Sequence, residues 1–344
     1  MLAMSAFAFQ AGVIGLRIAS RAASANPKRR MLGRRRLPAS ISIPIPISIP
    51  ISISISIPTS GWRDVGGGGG YQLFLNGFRA NGTMHLIDTH CHLDVEDFDP
   101  DRARVLAAAR AGGVREIVVP AIHRAGWPKL LALCAEDAGL YPALGLHPVY
   151  LAQHRDEDVP ALAAAVAEQR PLAVGEIGLD YHVATEAGER RRQRELCAAQ
   201  LAVAAEAGLP VLVHVRKAHA DMLGLLADAG VGGGIAHAFN GSPEQAERYL
   251  DLGFKLGFGG MLTFARSTKL RGLAAALPLA AIVLETDAPD LTVASHRYQR
   301  NSPEYLPEVL AALAEVRGAD PAELAAATTA NARAVLGLPG APDA

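Results

Sequence analysis

From His85 onward, short apolar runs alternate with longer stretches in which Ala and Leu recur at helical spacing. Eight runs read as strands: "HLIDTHCH" (85–92), "EIVVPA" (116–121), "YPALGLH" (141–147), "LAVGEIG" (172–178), "PVLVHV" (210–215), "GIAHAF" (234–239), "FKLGFGG" (254–260) and "AIVLETD" (281–287). The intervening segments, such as "DPDRARVLAAARAGG" and "SPEQAERYLDLG", open with helix-start residues and close on glycine. Nearly continuous apolar strands alternating eight times with helices predict an α/β protein, a (β/α)8 TIM barrel rather than an open sheet. Two further helical stretches, 303–317 and 320–336, finish the chain.

The first 83 residues follow another pattern. "SISIPIPISIPISISISIP" (40–58) alternates Ile with Ser or Pro, but Pro44, Pro46, Pro50 and Pro58 remove ladder donors and argue against a central strand. Gly66 to Gly70 form a flexible tract, and the Arg-rich, acid-free "RIASRAASANPKRRMLGRRR" superficially fits a transit peptide. Residues 1–83 are therefore a targeting extension or translated sequence upstream of the true start. The second reading is expected, because Met84 directly precedes the first strand. In either case the segment is expected to be disordered and to carry no chemistry, leaving residues 84–344 as the barrel domain.

Charge sharpens this division. Ten Lys and Arg against Asp64 alone give residues 1–83 a balance of +9, so Met84–Ala344 carries −10 within a total of −1. Cys91, Cys134 and Cys197 have no zinc-finger spacing, which suggests reduced thiols and a cytoplasmic protein. No apolar run approaches the ~20 residues needed to cross a bilayer, and nothing implies a membrane or a protein partner, so a monomer is expected.

In such barrels the active site lies at the C-terminal ends of the strands. Those ends carry His90 and His92 on strand one, Glu176 on four, His214 on five, His237 on six and Asp287 on eight. Spaced two apart, His90 and His92 would leave a strand on the same face, with Cys91 pointing away. A single histidine at a strand end is ordinarily a hydrogen-bonded structural residue, but six ligand-type side chains on one rim favour a metal. They exceed the needs of one four-coordinate ion. Two divalent ions sharing a carboxylate would use them all, a usual device for activating water in phosphoester hydrolysis. Zinc, manganese and magnesium are all compatible.

The motifs "IDTHCHLD", "ALGLHP", "VGEIGLDY", "PVLVHVRKAH", "HAFNGS", "GFGGMLTF" and "LETDAPDL" resemble, in order and spacing, the TatD-related metal-dependent hydrolases. These are usually described as deoxyribonucleases and belong to the amidohydrolase superfamily of barrels. The resemblance covers Met84 to Leu338. It implies His90 and His92 on a first ion, Glu176 bridging, and His214 and His237 on a second, with Asp287 holding the first ion and acting as general base. Substrate contacts could come from His147, Asp180, Tyr181, Arg216 and His219, which could equally shape loops. Asp88 would orient a ligand imidazole or bond loop backbone. The chain departs from many relatives at Val215, where serine is common, and at Asp290, where tyrosine is common. It departs again in "SHRYQRNSPEYLP", where an Arg-Gly element is usual; only Asn301 and Pro303 keep the common ending.

The acidic domain argues against tight duplex binding, and "ERRRQR" (189–194) is its one basic cluster. A weakly held single strand or 3′ end of DNA is the substrate this favours. Another ester, such as D-aminoacyl-tRNA, is the alternative. A barrel with no catalysis, used only to bind a partner, would be suggested by a missing ligand, and none is missing.

Overall fold

The computed structural model describes residues 84–338. The expectations for residues 1–83 lie outside the described residues. The elements run β1 (Leu86–Asp88), α1 (Arg102–Ala111), β2 (Val114–Pro120), α2 (Trp127–Glu136), β3 (Leu140–Leu144), α3 (Asp158–Gln169), β4 (Ala173–Asp180), α4 (Ala187–Ala207), β5 (Val211–Arg216), α5 (His219–Ala229), β6 (Gly234–Ala236), α6 (Pro243–Asp251), β7 (Phe254–Phe258), α7 (Thr268–Ala276), β8 (Ile282–Leu284), α8 (Leu306–Arg317) and α9 (Pro321–Leu336). The strands pair in parallel in sequence order. This is a (β/α)8 TIM barrel with one extra C-terminal helix.

Its seam closes just past the ends of β8 and β1. The Thr89 N–H donates to the Leu284 carbonyl at 3.0 Å, that of Asp287 to the His90 carbonyl at 2.8 Å, and that of His92 to the Ala288 carbonyl at 2.8 Å. β1 is therefore much shorter than 85–92. His90 and His92 lie beyond it, in backbone recruited to join the two ends of the sheet.

The barrel interior is a layer of Ile87, Val118, Ala143, Ala173, Leu212, Ile235 and Val283, one from each of seven strands. Ala332 and Leu336 of α9 join that layer. Thr329 Oγ1 donates to the His85 carbonyl and Asn331 Nδ2 to that of Ile282, so α9 covers the starts of the strands. A larger apolar cluster, including Val119, Ile177, Val213 and Leu256, lies between the strands' outer faces and the helices. With period 2, the inward face leads from Leu212 to His214, from Ile235 to His237, from Ala143 through Gly145 to His147 and from Val283 through Glu285 to Asp287. Apolar filling thus passes into polar donors at the C-terminal mouth.

Gly178, paired with His214 in the β4–β5 register, has φ +139°. A methyl group there would lie 2.1 Å from the His214 carbonyl oxygen. Glycine allows β4 to approach β5 closely enough for two β4 carboxylates to reach His214. Gly178→Ala is expected to lower stability by more than ~1 kcal/mol, combining a disfavoured φ with a backbone clash; chemical denaturation measures this.

Candidate metal centre

Glu176 stands at the middle of the mouth, almost fully buried. Its two oxygens face different partners. Oε2 lies 3.1 Å from His90 Nε2 and 3.3 Å from His92 Nε2. Oε1 lies 3.2 Å from His147 Nε2, 3.1 Å from His214 Nδ1 and 3.0 Å from His237 Nε2. Asp287 Oδ1 sits 3.7 Å from His90 Nε2 and 3.8 Å from His92 Nε2, on the Oε2 side. Three sets of donor atoms lie within 4.8 Å of one another: His90, His92 and Asp287; His90, Glu176 and His237; and His147, Glu176 and His214.

The outer ring nitrogens decide what the inner ones can do. His92 Nδ1 is 3.0 Å from the Pro120 carbonyl, and His214 Nε2 is 3.0 Å from Asp180 Oδ2. Both partners only accept, so in the neutral rings these nitrogens carry the protons and the inward nitrogens hold the lone pairs. His147 is the opposite case: its Nδ1 accepts the Val149 N–H at 3.1 Å. In the neutral ring the proton then lies on Nε2, which points at Glu176 as a donor.

The electrostatics follow from this crowding. Burial alone would raise the Glu176 carboxyl, but His147, His237 and His90 hold it well below the usual range, so it is an anion. Burial, with His237 adding to it, keeps His90 neutral. Burial also lowers His147, to about 4, against the pull of Glu176. Burial opposes charging of His92 too, yet Glu176, Asp287 and Asp94 lift it to about 9. Asp287 rises to about 6, mainly through burial. A carboxylate flanked by imidazoles whose lone pairs turn inward is a donor set that fits divalent cations, and protons compete for the same nitrogens.

Residues 87–337 match the model of the TatD related DNase family. The chain belongs to that family. It is 40% identical over 258 residues to the uncharacterized metal-dependent hydrolase YjjV of Escherichia coli (strain K12), covering 74% of this chain and 98% of that protein. A 3′-5′ ssDNA/RNA exonuclease TatD of Cronobacter sakazakii (strain ATCC BAA-894) is 34% identical over 256 residues, 72% of this chain and 96% of the relative. The crystal structure of the Escherichia coli YjjV, a TatD homologue, superposes with a TM-score of 0.71 at 37% identity, covering 75% of this chain and all of that one.

The TatD barrel places the remaining sequence candidates differently. His147 enters the centre itself. Asp180 is buried, with Oδ2 on His214 and Oδ1 accepting the His182 and Val183 N–H groups, so it orients a histidine and a loop. Tyr181, Arg216 and His219 lie outside the three donor groups. Tyr181 donates to Asp221 at 2.5 Å, and its oxygen accepts from Arg194. His219 sits between Tyr249 and Asn240, at 3.2 and 3.3 Å. Arg216 is exposed at the end of β5. Asp88 bonds backbone, accepting from the His90 and Thr286 N–H groups and from Thr286 Oγ1. Val215 packs in the outer apolar cluster, so that departure from many relatives does not face the site.

One residue escaped the sequence reading. Glu285 is fully buried, accepts the Ala238 N–H, and faces His237 Nδ1 at 3.6 Å, within ion-pair reach but longer than a hydrogen bond. The signal was available: Glu285 falls between Val283 and Asp287 on the inward alternation, and Gly257 leaves room for its carboxylate. Asp180→Asn keeps the backbone bonds but can turn an N–H toward His214 Nε2–H. It is expected to weaken metal binding about 10–100-fold, the usual cost of losing a partner that orients a ligand; competition with a chelator measures this.

Proposed function

We propose that this metal-dependent hydrolase of the TatD family cleaves phosphodiester bonds of single-stranded DNA, at or near a 3′ end. The supporting observation is Glu176, whose two oxygens face two separate sets of imidazoles, as a carboxylate shared by two cations would. His90, His92 and Asp287 would hold one ion and His214 and His237 the other, with Glu176 between them. Two such ions supply an activated water and offset the charge on the phosphate and its leaving oxygen.

The chain's own residues do the rest. Asp287, with a carboxyl at about 6, is ionised at neutral pH and sits at the mouth with a free pKa close enough to accept a proton from water. His147 stays neutral and presents its Nε2–H inward, so it can donate to a phosphate oxygen without adding a charge that would repel cations. The acidic barrel disfavours gripping of a duplex, which agrees with an end-directed activity on single strands. The relatives named as ssDNA/RNA exonucleases support the same substrate class.

The test is a panel of single-stranded DNA, duplex DNA, RNA and D-aminoacyl-tRNA with Mg²⁺, Mn²⁺ or Zn²⁺. Cleavage of the single DNA strand ahead of the duplex is expected. Turnover of the tRNA ester alone would replace the nuclease reading with an esterase.

A further inference from the structure

Among the described residues, the exposed large hydrophobic side chains are Val149, Tyr150, Val183, Leu291 and Tyr298. All five lie on segments that leave the barrel mouth. Val149 and Tyr150 directly follow His147, Val183 follows Asp180, and Leu291 and Tyr298 follow Asp287. The outer surfaces of the helices expose none of comparable size among the described residues. Isolated exposed apolar groups are ordinary on proteins, but confinement to one rim is not expected of chance.

Two of the five are aromatic, and each is tied to the site or to a cation. The Tyr150 ring meets His147 edge-on, with centroids 5.8 Å apart, so it borders the centre. Tyr298 is 87% exposed. The Arg297 guanidinium lies 4.5 Å over its ring centroid, covering one face and leaving the other open. The Tyr298 backbone is left-handed, φ +66°, a conformation that bulky side chains rarely adopt. Neither the ring's exposure nor that backbone helps the fold. The same loop is anchored to the neighbouring segment after β1, where Arg300 pairs with Asp101 and its guanidinium lies 4.5 Å over the Phe98 ring.

We propose that this rim binds unpaired nucleobases, with Tyr298, backed by Arg297, and Tyr150 as the residues on which they stack. The inference rests on the nuclease reading. Every base offers a flat π face, so aromatic platforms hold single strands with little regard to sequence. In a duplex those faces are stacked and unavailable. An adjacent guanidinium suits the phosphates that accompany the bases. The rim would thus provide strand affinity that the acidic barrel does not.

The experiment compares KM for a single-stranded oligodeoxynucleotide with KM for the same strand carrying abasic units near its 3′ end, using the metal-loaded full chain. The wild type is expected to favour the base-bearing strand about 5- to 100-fold, the range for one or more stacked bases. Tyr298→Gly removes the ring and suits the left-handed backbone, so it should fold; it is expected to lose much of that preference, whereas Tyr298→Phe keeps it. An unchanged preference in Tyr298→Gly, or a wild type indifferent to the missing bases, overturns the stacking role and leaves the nuclease reading standing. A wild type that cleaves neither strand overturns both.

Discussion

Glu176→Gln is expected to leave a folded barrel whose metal content, measured by elemental analysis after dialysis against a buffered metal solution, falls at least ~10-fold. Glutamine matches glutamate in shape, so packing in the mouth is preserved. The loss is one negative charge that five inward imidazole nitrogens share at 3.0 to 3.3 Å. That anion offsets the cost of gathering cations or protonated rings in a buried site. Because it faces both sets of donors, its removal is expected to weaken every metal position rather than one. A second readout is independent of turnover. Added metal raises the Tm of a protein that binds it only when folded, and this rise should shrink in the variant. Unchanged metal content would overturn the bridging assignment.

Asp287→Asn is expected to lower kcat about 10²- to 10⁴-fold, the range for losing a positioned general base, with little change in stability. Asparagine suits this position better than alanine, because residue 287 is left-handed at φ +58°, a conformation that asparagine and aspartate tolerate. The seam bond from the residue 287 N–H to the His90 carbonyl is also kept. The side chain sits at the mouth, about 14% exposed, and contributes nothing to the apolar layers. Without metal its carboxyl lies at about 6, and a bound cation holds it lower. The wild-type acid limb of kcat/KM should therefore fall at or below pH 6, activity dropping as the base becomes protonated, and the variant should lose that limb. Full activity in the variant would reject the base assignment.

The barrel was legible because its signal is local. Eight apolar runs, each bounded by helix signals, gave the strand order, and all eight strands are present in parallel sequence order. For two of the six candidate ligands, their meeting at one mouth was legible for a related reason. His214 and His237 continue the inward alternation of Leu212 and Ile235, so apolar filling and polar donors share one face of each strand. The strand lengths were less legible. β1, β6 and β8 have three residues each, because the ladder stops where the chain turns toward the mouth. His90 and His92 converge although neither lies on β1. The physical cause is the seam to Leu284–Ala288 rather than strand pleating.

The chain's order of residues determined by itself the fold class, the mouth at which the candidate ligands gather, and their residue types, since these follow from periodicity and composition. Only the tertiary structure decided how each donor is used. Asp180 serves His214 because Gly178 lets β4 and β5 approach, Glu285 comes to face His237 from two strands away, and Val149 sets the His147 proton. The direction of an imidazole lone pair depends on what its other nitrogen touches, and those partners come from distant or differently folded segments that no local pattern reports.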